Sequence, residues 1–84
     1  MTTLTLTEQV KRKMALCPED GAKLKLAWSN VWLRLEASAA RRRPKMKSFE
    51  VHHMKETARK AIFEAFVDGH TDLETIALAS IGIK

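Results

Sequence analysis

The positions of the two prolines constrain the fold of this chain more than any other feature. Pro18 and Pro44 are the only prolines, and the residues between them are mostly the helix formers Ala, Leu, Lys, Arg and Glu. Proline suits the first position of a helix, where its missing N–H is not needed, and Glu19 and Asp20 favour the positive end of the helix dipole. Proline also disfavours helical geometry in the residue before it. We therefore expect one long helix from Pro18 that ends between residues 40 and 43.

Capping residues mark the starts of three other helices: the box Thr5-Leu6-Thr7-Glu8, Ser48 and the box Thr71-Asp72-Leu73-Glu74. We expect these helices to end near Cys17, at Gly69 and before Gly82. A chain of 84 residues has room for one core. The sequence therefore predicts a single all-α domain over residues 1–84, a small bundle of three to four helices of which two are long and two short.

The N-terminal segment is open to a second interpretation. Residues 2–7 alternate Thr and Leu, which is the only strand-like pattern in the chain. A strand followed by two helices resembles the order of a ribbon-helix-helix repressor. That resemblance would imply a strand paired with a second copy in the DNA major groove, with Thr3, Thr5 and Thr7 facing bases. The segment departs from the pattern because it lacks the Arg, Lys, Asn or Gln side chains that usually read base edges.

Composition and motifs exclude several classes of function. Cys17 is the only cysteine, so no internal disulfide forms and a reducing, cytoplasmic location is expected. No apolar run is long enough for a membrane span. His52, His53 and Glu56 suggest a metal site, but adjacent helical residues point about 100° apart, and zinc needs three or four converging ligands. With no phosphate loop and no nucleophile motif, we expect no enzyme activity, cofactor or metal.

The strongest local feature is a run of five cations, which we call the cationic hinge: Arg41, Arg42, Arg43, Lys45 and Lys47. Cations stabilise a helix C-terminus, but one or two would serve that purpose and five repel each other. The chain has a net charge of +5, which favours a polyanionic partner. We predict that the hinge contacts several phosphates and that Lys11, Arg12 and Lys13 extend the surface. An acidic protein surface or simple solvation of the charges remains the alternative.

Two apolar stripes run along the helix after Pro18. An inner stripe consists of Leu24, Trp28, Val31 and Leu35, and an outer stripe on the opposite side consists of Leu26, Leu33, Ala37 and Ala40. Phe49, Phe63 and Val67 form a second apolar face on the next long helix. A surface helix needs only one apolar face, so we predict that these residues form an interface, either in a homodimer or with a partner. Alternatively, the short helices cover them. Trp28 and Trp32 are either a core pair or exposed aromatic residues for stacking.

These features favour two classes of function. The first is a small nucleic-acid-binding regulator, for DNA or RNA, that uses the cationic hinge. The second is a protein-binding adaptor or inhibitor, such as the small proteins that phages direct against their hosts, docking through the outer stripe. A structural subunit of a larger assembly is a third interpretation.

Overall fold

The computed structural model describes residues 4–42 and 44–83. Over these ranges the chain forms four helices: α1 (Leu6–Leu16), α2 (Pro18–Arg41), α3 (Ser48–Asp68) and α4 (Leu73–Ser80). No strand occurs among the described residues. The predicted all-α bundle with two long and two short helices is confirmed.

The start of α1 decides between the two interpretations of the N-terminal segment. Thr5 is the N-cap, and the Glu8 N–H donates to its hydroxyl oxygen at 3.2 Å. Leu6 is the first residue of the helix, and Thr7 lies within it. The strand interpretation of this segment is wrong in its described part, because Thr5 caps a helix and its hydroxyl accepts a hydrogen bond from a helix N–H. Thr3, the other residue proposed to face bases, lies outside the described residues.

The two long helices begin and end where the sequence predicts, except that one predicted N-cap is wrong. Pro18 is at the first position of α2, and the backbone leaves the helix at Arg42, which is extended. Gly69 ends α3 in the left-handed region at φ +88°, where glycine has no steric penalty. Ser48 is wrong as an N-cap: it is already the first residue of α3, and Lys47 takes the cap position without a side-chain hydrogen bond.

The fourth helix starts differently from the prediction. Its N-cap is Asp72 rather than Thr71, and no side chain caps its first turn. The second capping box therefore does not form. Tertiary packing holds this helix instead, since Leu73, Ala77 and Leu78 are all buried against α2 and α3.

The core lies on the inner stripe of α2. Val31, Leu35 and Ile62 are the largest fully buried side chains. The other buried apolar residues come from all four helices: Val10, Leu24, Ala39, Ala58, Ala65, Phe66, Leu73, Ala77 and Leu78. The predicted inner stripe is thus the face of α2 that α1, α3 and α4 cover.

The directions of the helices place the hinge at one end of the bundle. Lys13, near the end of α1, contacts Phe66 near the end of α3. Glu74, at the start of α4, contacts Asn30 in the middle of α2, and Ile83 lies beside Arg41. One end of the bundle therefore holds the end of α2, the start of α3 and the residues after α4. The end of α1 lies at the other.

Candidate polyanion-binding surface at the cationic hinge

The described residues of the hinge are all exposed at the junction of α2 and α3. Arg41 is the last residue of α2, and its Nε donates to the Ala37 carbonyl oxygen at 3.3 Å. Arg42 has an extended backbone (φ −72°, ψ 145°), which turns the chain away from the helix axis. Lys45 and Lys47 follow in non-helical backbone and are exposed. Arg43 lies outside the described residues.

The described hinge cations have no acidic partner among residues 4–42 and 44–83. Between residues 4–42 and 44–83 the ion pairs are Arg34 with Glu74 at 3.9 Å and Arg59 with Glu56 at 2.6 Å. Neither involves the hinge. The positive charges of Arg41, Arg42, Lys45 and Lys47 therefore repel each other, and no carboxylate of a described residue pairs with them.

The first of two grooves that open at the hinge joins arginines to the outer stripe. Its described lining includes Arg34, Arg41 and Arg42, with Leu33, Ala37 and Ile83 supplying apolar surface. No carboxylate lines this groove among the residues described, although Arg34 is held by Glu74 from outside it. A ligand bound here would meet guanidinium groups beside an apolar floor.

The second groove lies on the other side of Arg42 at the start of α3. Arg42, Met46, Phe49 and Ile81 contribute to its lining. Phe49 is 68% exposed, whereas Met46 and Ile81 are half-buried. Two carboxylate residues, Glu50 and Glu56, also line this groove, and Glu56 is already paired with Arg59.

The basic residues of α1 do not extend this surface. Lys11 and Arg12 are exposed, but they lie toward the opposite end of the bundle. Lys13 donates a hydrogen bond to the Phe66 carbonyl oxygen. The helix rise puts Phe66 roughly 28 Å from Lys47 along the axis of α3. The structure therefore separates two groups of cations that the sequence analysis joined.

The outer stripe of α2 is uncovered. Leu26 and Leu33 are 65% and 64% exposed, and Ala37 and Ala40 are also exposed. Between the two leucines, the Asn30 amide donates to the Glu74 carboxylate at 3.2 Å, so α4 approaches this face only at its edge. The alternative that the short helices cover the stripe is wrong.

The predicted apolar face of α3 is divided by the fold. Phe63 and Val67 are half-buried and pack against the core of their own chain, and the Arg59 guanidinium lies 5.9 Å from the Phe63 ring centroid. Phe49, by contrast, projects from the bundle. Only one of these three residues offers most of its side chain to a partner.

The two tryptophans are half-buried and face each other edge to plane. Their ring centroids are 6.0 Å apart with an interplanar angle of 62°. Trp28 packs against the core, and the Lys55 ammonium lies 3.5 Å from the centroid of the Trp32 ring. A face of Trp32 is thus occupied by a cation–π contact and is not open for stacking.

Sequence reasoning missed two residues of this surface. Arg34 lies two helical turns before Arg41, a spacing that already places both on one side of α2. Ile83 has no such indication, because its position depends on how α4 packs. His52 and His53 are exposed, and no group of three potential metal ligands converges within the described ranges. None of the described helices is long and apolar enough to cross a membrane.

No protein-family model, curated protein or solved structure matches the chain.

Proposed function

We propose that this chain is a small, non-enzymatic nucleic-acid-binding regulator that contacts phosphates through the cationic hinge. The observation that supports the proposal is the exposure of Arg41, Arg42, Lys45 and Lys47 without a carboxylate partner among the described residues. Cations that repel each other in the free protein gain stability when a polyanion binds between them. Each phosphate contact also releases counterions from the nucleic acid.

The arrangement of the hinge suits a backbone contact rather than a single bound anion. Its described cations occupy neighbouring backbone positions: Arg41 ends α2, Arg42 is extended, and Lys45 and Lys47 precede the first residue of α3. A nucleic-acid strand carries a series of phosphates, so several of these cations can contact it at once. Phosphate contacts of this kind set the position of a protein but read no sequence.

A charge-matched pair of variants tests the proposal. Arg41→Ala/Arg42→Ala and Lys11→Ala/Arg12→Ala each remove two exposed positive charges, but from opposite ends of the bundle. Fluorescence anisotropy with a labelled oligonucleotide should show a large loss of affinity for the hinge variant and a small loss for the α1 variant. Plotted against the logarithm of the salt concentration, the logarithm of the association constant should fall with a slope of about −0.9 for each phosphate contact on duplex DNA. Equal losses in both variants would contradict a localised hinge site.

A second candidate function is protein docking through the outer stripe, including association with a second copy. The observation that favours it is the exposure of Leu26 and Leu33 in a coiled-coil-like spacing on α2. Light scattering at micromolar concentration should detect a dimer that Leu33→Glu disrupts. Apolar docking should change little with salt, whereas binding through the hinge should weaken steeply. If light scattering shows only a monomer, the homodimer is excluded.

The same proposal places the protein in the cytoplasm. Cys17 is an exposed free thiol, which is compatible with a reducing compartment. Fractionation of cells that express the protein at its natural level would test this location.

A further inference from the structure

We infer that the hinge surface takes single-stranded nucleic acid, with an unpaired base stacked on Phe49 while Arg41, Arg42, Lys45 and Lys47 hold neighbouring phosphates. This inference depends on the proposed function and specifies its ligand. It follows from three observations: Phe49 is exposed, it lies next to the hinge cations, and the other four Phe and Trp side chains are buried or half-buried.

Phe49 is the only aromatic side chain with most of its surface open. The chain has five aromatic residues, and all of them lie in the described ranges. Phe66 is buried, while Trp28, Trp32 and Phe63 are half-buried. Phe49 alone is 68% exposed. A single exposed apolar residue is ordinary on a protein surface, so its exposure matters here only because of where it lies.

Phe49 lies next to the hinge. It is two residues after Lys47, and it lines the same groove as Arg42. Met46 and Ile81 continue the apolar lining of that groove. An aromatic ring beside a cationic path is the combination by which single-strand-binding proteins stack bases and follow a backbone. In a duplex the faces of the bases are already stacked, so a ring at this position has nothing to contact.

The carboxylates of the groove favour a ligand that places a base, and not a phosphate, inside it. Glu50 and Glu56 line it together with Phe49, and Glu56 is held by Arg59 at 2.6 Å. Negative charge inside the groove repels a phosphate but not the uncharged face of a base. The base therefore enters beside Phe49, and the phosphates lie outside the groove at Arg42, Lys45 and Lys47.

Three probes of equal length separate this inference from the function on which it depends. They are an oligothymidylate of about 16 nucleotides, near the upper site size of a small single-strand-binding domain, the corresponding duplex, and an abasic strand that keeps the phosphates without bases. The variants are Phe49→Ala, Phe49→Tyr, which retains a ring, and Arg41→Ala/Arg42→Ala. Because Phe49 is exposed, circular dichroism should show the same fold for all.

We expect Phe49→Ala to weaken binding of the oligothymidylate at least about fivefold, the loss expected for one stacked base. Binding of the duplex and of the abasic strand should change less than about twofold, and Phe49→Tyr should bind like the parent protein. The Arg41→Ala/Arg42→Ala variant should lose affinity for all three probes.

Each other outcome has a definite meaning. If the arginine variant loses affinity and Phe49→Ala does not, the proposed function survives and the stacking inference is overturned. If the parent protein binds none of the three probes, both fail. If Phe49→Ala instead lowers the apparent molecular mass of the free protein, the ring belongs to a contact between two copies, and the inference is also overturned.

Discussion

The Lys13 side chain on α1 contacts both the backbone and the ring of Phe66, near the C-terminal end of α3. Its ammonium donates to the Phe66 carbonyl oxygen and lies 4.7 Å from the centroid of the Phe66 ring. The same carbonyl accepts the Gly69 N–H at 3.2 Å. Since α3 has no basic residue in its own last turn, the cation that its dipole favours comes from another helix. One cation of the basic run in α1 therefore serves the fold.

Replacing Lys13 should lower stability without affecting ligand binding. Lys13→Met keeps much of the apolar stem but removes the hydrogen bond and the charge at the end of α3. We expect the free energy of unfolding to fall by about 1–2 kcal/mol, because a hydrogen bond from a charged group and a helix-dipole interaction are lost together. Urea unfolding followed by circular dichroism measures this. The control, Lys11→Met, removes an exposed charge and should change stability by less than about 0.5 kcal/mol.

Gly69 should be intolerant of a side chain although it has space around it. No atom lies within 4 Å of the position that a Cβ would take, but the backbone has φ +88°. The cost therefore comes from the left-handed conformation alone. We expect Gly69→Ala to destabilise the protein by about 1 kcal/mol. Asp68→Ala, at the exposed last residue of α3, is the control in urea unfolding and should not destabilise the protein, because it removes a negative charge from the negative end of the helix dipole.

Truncating a leucine should cost much more stability on the inner stripe of α2 than on the outer stripe. Leu35 is fully buried, and Leu33 is 64% exposed two residues away. Leu35→Ala should lower the free energy of unfolding by about 2–5 kcal/mol, which for a domain of this size is a large share of the total. Leu33→Ala should have little effect on the monomer. If Leu33→Ala is also strongly destabilising, and more so at high protein concentration, the outer stripe is a permanent interface between copies.

Local rules were sufficient where one residue determines one feature. Pro18, Gly69 and the Thr5 cap each act on the backbone next to them, and the structure has all three where the sequence predicted. The rules failed at the start of α4, where Thr71 could have capped the helix. The burial of Leu73 against the core places the first helical turn one residue later, and packing outweighs a cap worth about 1 kcal/mol.

The surface around the hinge was less predictable, because it combines residues far apart in the sequence. Helical periodicity was enough to separate the inner stripe of α2 from the outer one. Periodicity could not show that Lys13 is used at Phe66, or that Ile83 returns to the hinge. Both facts depend on the direction in which a short helix packs. Phe49 was predicted as part of an interface with Phe63 and Val67, and only the packed fold separates it from them.

The one half-buried carboxylate beside Phe49 should limit the affinity of the hinge surface. Glu50 lines the groove with Arg42 and Phe49, so Glu50→Gln should tighten oligothymidylate binding by about twofold in low salt, as expected for one charge roughly 8 Å away in water. The gain should shrink near physiological salt, where the screening length is about 8 Å. The variant should also lose about 0.3–1 kcal/mol of stability, since Glu50 lies in the first turn of α3. Glu64→Gln makes the same charge change on an exposed residue roughly 21 Å farther along the helix. Anisotropy titrations that give equal gains for both variants would show that net charge alone, and not a site at Phe49, governs binding.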